Sequence, residues 1–74
     1  MNSLMMGSSG YAVESLQEML NECGYEIDVT GSYDDMTRKV VCSFQQKEKI
    51  TVTGVADERT LTTLAMRSAV VRDE

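Results

Sequence analysis

One pattern of eight residues occurs twice in this chain and constrains it more than any other feature. Thr30-Gly31-Ser32-Tyr33-Asp34-Asp35-Met36-Thr37 and Thr53-Gly54-Val55-Ala56-Asp57-Glu58-Arg59-Thr60 share the form T-G-x-x-D-[D/E]-x-T at an offset of 23, and Val41 and Leu64 fall at the same offset. Each part has a physical job. Glycine makes the turn, and aspartate accepts a backbone N–H at a helix start. The second acid sits at the positive end of the helix dipole. Two copies behind an unlike first helix are too few for a solenoid. They predict an all-α fold, a compact three-helix bundle with two turn-rich connections.

That bundle has few of the usual supports for a small core. A chain of 74 residues buries only about 60% of the surface its unfolded form exposes. Two cysteines and no histidine exclude a multi-disulfide framework and leave little to hold zinc. Helix packing with strong local signals, or a neighbouring domain, has to supply the stability. Hydrophobic residues at 42% and charged residues at 26% fit a soluble globular domain and are too apolar for a disordered one. Uninterrupted apolar runs reach only two or three residues, so nothing spans a bilayer.

The first helix is expected over residues 11–23, where Val13, Leu16, Leu20 and Cys23 recur at spacings of three and four. Ser8 or Ser9 is the expected cap, and Gly24 the stop, with Tyr25 folding back towards Leu20. The second helix is expected from about Asp35 to Glu48, capped by Asp34, with Val40, Val41 and Phe44 inward and Met36 and Thr37 one turn earlier. The third runs from about Glu58 to Met66, capped by Asp57, with Leu61, Leu64 and Ala65 as its buried stripe. Ile27 and Val29 alternate in the first connection, as a short extended piece would. The expected division is a remnant at residues 1–3, a domain at 4–66, and a tail or helix extension at 67–74.

Charge is unevenly placed. Residues 1–37 hold seven acids and no base, whereas residues 38–74 hold all seven bases against five acids. A phosphate backbone would be repelled by the first half and weakly held by the second, which excludes nucleic acid. Glu14, Glu18 and Glu22 form an i, i+4, i+8 row, expected to be a solvated helix face.

The ordered residues resemble the peptidoglycan-binding domain family, the small three-helix module attached to many bacterial and phage cell-wall enzymes. The resemblance is carried by Leu4, Gly7 and Gly10; Val13, Leu16-Gln17 and Leu20; Gly24-Tyr25; Gly31 and Tyr33; Thr37, Val40-Val41 and Phe44-Gln45; and Thr53-Gly54-Val55, Asp57, Thr60 and Leu64. The chain departs from the family at Tyr33-Asp34-Asp35, where Phe-Gly-Pro is usual. The resemblance implies a non-catalytic module that binds peptidoglycan, through glycan strand or stem peptide, and holds a linked enzyme at the wall. It further implies a monomer acting outside the cell, exported with a longer parent, because this chain shows no signal peptide.

The chemistry legible in the residues agrees with binding rather than catalysis. No histidine is available as general base, and no nucleophile–base pair or phosphate-binding loop is present. No catalytic residue, metal or cofactor is expected. Cys23, on the core stripe, and Cys42, half exposed, are expected to be structural and unpaired. Gln17 and Gln45 can donate and accept at once, and are expected to fasten the connections around residues 24–33 and 50–56. The expected ligand contacts are Tyr25 and Tyr33, whose rings can lie on the C–H face of a pyranose, with Asp28 beside them. Arg38 would meet a stem-peptide carboxylate, unless it pairs with Asp34 or Asp35. The competing expectation is a protein-interaction module that docks a basic partner through its acidic first half.

Overall fold

Both copies of the repeated pattern start a helix, each by the same hydrogen bond. In the computed structural model, which describes residues 3–72 (side chains through residue 69), Asp34 Oδ1 accepts from the Thr37 N–H at 3.0 Å and Asp57 Oδ1 from the Thr60 N–H at 2.9 Å. Three helices result: α1 (Tyr11–Glu22), α2 (Asp35–Lys47) and α3 (Glu58–Arg72). Among the described residues there is no strand, only two isolated bridges, Leu4 with Ala56 and Ser9 with Ser32. The alternation at Ile27 and Val29 therefore makes no strand.

The core forms where the apolar stripes meet. Val13, Leu16 and Leu20 of α1 join Val41 and Phe44 of α2 and Leu64 of α3, with Tyr33 and Ala56 from the connections, all buried. Two expected core positions lie elsewhere. Met36 is 56% exposed, because its neighbour Thr37 takes the inward direction for the cap. Ala65 is exposed too; the stripe of α3 runs through Thr60, Leu64 and Ser68 instead.

Helix ends are set by backbone geometry. Gly24 takes the left-handed conformation after α1, and the Tyr25 N–H reaches the Leu20 carbonyl at 3.0 Å. The same motif ends α2 without glycine: Lys49 stands at φ 61°, and the Ile50 N–H reaches the Gln45 carbonyl at 2.9 Å. At the start of α1 the cap position is Gly10, with no side-chain cap, rather than a serine. The Ser8 hydroxyl instead accepts from the Met5 N–H at 3.1 Å, and Ser9 is used in the bridge to Ser32.

Helix α3 continues past Met66 to Arg72, which resolves the tail as an extension that far. Of the expected remnant at residues 1–3, residues 1 and 2 lie outside the described residues, as does the end of the tail at 73–74. Arg67 anchors the extension, donating to Glu48 Oε1 from Nε at 3.1 Å and Nη2 at 2.9 Å. The segment before α1 laces the connections together. Leu4 and Ala56 exchange both backbone hydrogen bonds, at 3.0 and 2.8 Å, and the Gly7 N–H reaches the Tyr33 carbonyl at 3.1 Å.

Candidate functional site

The two connections are held by two copies of one polar clamp. Gln17, buried in α1, accepts through Oε1 from the N–H groups of Thr30 (2.8 Å) and Gly31 (2.9 Å). Its Nε2 donates to the Ser32 carbonyl at 3.1 Å and the Thr37 hydroxyl at 3.0 Å. Gln45 does the same from α2, accepting from Thr53 (3.0 Å) and Gly54 (3.1 Å) and donating to the Val55 carbonyl (2.9 Å) and the Thr60 hydroxyl (3.0 Å). An amide is required, because one end must accept while the other donates. Every buried side-chain polar atom among the described residues has a partner. The connections are thus ordered before any ligand arrives.

Gly54 shows why glycine recurs in the pattern. It has φ 77°, and a Cβ there would stand 3.1 Å from Arg38 Cγ and 3.3 Å from Cys42 Sγ. Gly31 is the equivalent in the first connection, covered by Glu14. Glu14 is therefore half-buried against the turn, and Glu22 is half-buried as well; of the acidic row only Glu18 is exposed.

The four expected contact residues do not share one role. Tyr33 is 2% exposed, and its hydroxyl donates to the Gly54 carbonyl at 2.7 Å. Burial pushes that hydroxyl's pKa up to about 12. With both ring and hydroxyl committed, Tyr33 is a fold residue and presents no face to a sugar. Tyr25 is half-buried: its backbone N–H reaches Leu20 at the end of α1, while its ring stands edge-on to Phe44 of α2 with centroids 6.4 Å apart. Arg38 borders the Gly54 turn, and its guanidinium pairs with Asp35 at 2.9 Å. Asp28 is exposed beside a separate hollow of about 330 Å³ that also involves Asn21 and Met36.

Cys23 and Cys42 are free and half-buried. Burial, with Glu22 and Glu48 adding, pushes the Cys23 thiol up. That disfavours the reactive thiolate and suits a packing role.

A larger feature lies between α1 and α3: a groove of about 640 Å³. Half-buried Leu4, Met19 and Leu61 form its floor. Exposed Ala12, Ser15, Thr62 and Ala65 form its rim, with Ser3 at one end. Tyr11, outside that lining but next in sequence to Ala12, begins α1 and is 86% exposed. Neither feature is among the contacts expected from the sequence. The groove's walls come from three distant stretches, whereas Tyr11 did leave a signal: an aromatic ring off the Val13–Leu16–Leu20 stripe of an amphipathic helix.

Comparison with known proteins places this geometry. The model of the family described as "Putative peptidoglycan binding domain" matches residues 9–64. The chain belongs to that family. It is 40% identical over 58 residues to the carboxy-terminal processing protease CtpA of Bacillus subtilis (strain 168), covering 78% of this chain and 12% of the protease. Among solved structures, the SleB N-terminal domain superposes with TM-score 0.86 at 29% identity, over 90% of this chain and 93% of that one. A fused Zn-dependent amidase/peptidase/peptidoglycan-binding domain-containing protein from Clostridium acetobutylicum ATCC 824 superposes with TM-score 0.83 at 35% identity, over 85% of this chain and 28% of its own. The chain therefore spans only a small part of the enzymes it matches.

Proposed function

We propose that this domain binds bacterial cell-wall peptidoglycan without catalysing a reaction, and that it keeps a linked enzyme domain against the wall. The observation that carries the reading is family membership across residues 9–64. The clamped connections support it, because a surface ordered in advance loses little conformational freedom on binding. Tethering then acts through effective concentration: the attached enzyme meets its polymer as an intramolecular partner. In this reading the domain acts as a monomer at the wall; a relative fused to an amidase/peptidase and one that is a processing protease support the link to an enzyme domain. Asp28, Arg38 and the accessible part of Tyr25 are secondary polar contacts in this reading; Tyr33 is not among them.

Co-sedimentation with purified sacculi tests the proposal. Retention well above that of an unrelated acidic helical protein, with no release of soluble wall fragments, is the expected result. Equal retention of the two proteins would refute it.

A further inference from the structure

We propose that the groove between α1 and α3 is the glycan subsite of the module, taking an uncharged stretch of N-acetylated saccharide with Tyr11 as its stacking platform. The inference rests on the wall-binding reading and names the part of the polymer that is held.

Charge argues first. None of the groove's lining residues is ionisable, in a chain whose net charge is −5. A stem-peptide carboxylate placed there finds no lysine or arginine, and a stem-peptide ammonium finds no carboxylate. Either would lose hydration without compensation. On the flanking face of α1, exposed Glu18 adds repulsion for carboxylates. A neutral sugar meets none of these penalties.

The lining chemistry agrees. Leu4, Met19 and Leu61 offer an apolar floor to the C–H face of a pyranose and to an acetamido methyl. The hydroxyls of Ser3, Ser15 and Thr62 make no hydrogen bond among the described residues, so they can meet sugar hydroxyls and the acetamido group. A volume of about 640 Å³ falls inside the span of roughly 300–1,000 Å³ usual for small-molecule sites.

Tyr11 completes the arrangement. Four residues before Ser15 it shares that rim residue's strip of the helix surface, and it adjoins Ala12 in sequence. A ring left 86% exposed packs almost nothing of its own fold. An aromatic with a polar tip, one helical turn before the rim residue Ser15, is suited to lie on a sugar ring that extends beyond the groove.

The test uses sacculi as the bound phase, with two soluble competitors: a β-1,4-linked N-acetylglucosamine tetramer and free stem peptide. Tyr11→Ala removes the platform and Ser15→Trp fills the groove; both sites are exposed, so helical spectrum and melting temperature should stay as in the wild type. The proposal predicts that the tetramer displaces the domain, that stem peptide does not, and that each variant binds at least about fivefold more weakly. Wild-type retention that stem peptide competes away, or two folded variants that bind like wild type, overturns the glycan subsite and leaves wall binding standing. No wild-type retention at all overturns both.

Discussion

Gln17 and Gln45 each turn a side-chain amide into part of the backbone's hydrogen-bonding. Replacing Gln45 by Ala strands the buried Gly54 N–H at a cost of about 1–3 kcal/mol, releases the part-buried Thr53 N–H and empties a fully buried side-chain site. Against a total of about 4–11 kcal/mol for a domain of 74 residues, Q45A should sit close to unfolding in a urea titration. Q45E keeps the shape and should be no better, since an anionic oxygen would face the Val55 carbonyl at the site where an N–H now donates. Tyr33 gives a prediction in pH. Its folded pKa of about 12 lies above the ordinary 10, so the neutral form is the one folding favours. The contribution is complete below pH 10 and declines as pH rises to about 12, by on the order of 2 kcal/mol. Tyr33→Phe lacks this dependence. Urea titrations should show it less stable than wild type at neutral pH, with the gap narrowing between pH 10 and 12; a constant gap would contradict the account. On the acid side, hydrogen bonds from Thr37 and Thr60 hold the Asp34 and Asp57 carboxyls below their usual 3.8. Their capping contribution is therefore present above that value and is lost as pH falls further.

Among the elements, the helix starts were legible and the stops were only partly so. Asp34 and Asp57 cap as their repeated pattern required, and the two glutamines fasten the connections as their position beside core residues implied. The end of α2 was not legible, because Lys49 occupies a conformation that glycine usually marks. Lys49→Gly should therefore stabilise the domain by about 0.5–1 kcal/mol, the left-handed penalty less glycine's extra unfolded entropy, visible as a higher urea midpoint. A lower midpoint would show that Lys49 contributes through its side chain. The cap of α1 falls on Gly10 rather than on a serine: Ser9 lies one residue before the cap position in a backbone bridge with Ser32, and the Ser8 hydroxyl accepts from Met5. The extension of α3 was undecidable from periodicity, since its buried polar Ser68 interrupts the apolar stripe. The groove was invisible for a different reason: it exists only once Leu4, Met19 and Leu61 are brought together.

At the scale of the molecule, three helices close around one core with both cysteines free, and the N-terminal segment stitches the two connections. The result is a groove without ionisable lining on a chain of net charge −5. Exposed charge contacts weaken with added salt, while sugar stacking in an apolar groove does not. The account is tested most directly by following the backbone amides of the labelled chain while soluble glycan fragments are added at about 0.05 M and about 0.5 M salt. Shifts gathered on Tyr11, Ala12, Ser15, Thr62 and Ala65, equal at both salt levels, are the predicted outcome. Shifts centred on Glu18 and Asp28 that vanish at high salt, or none at all, would contradict it.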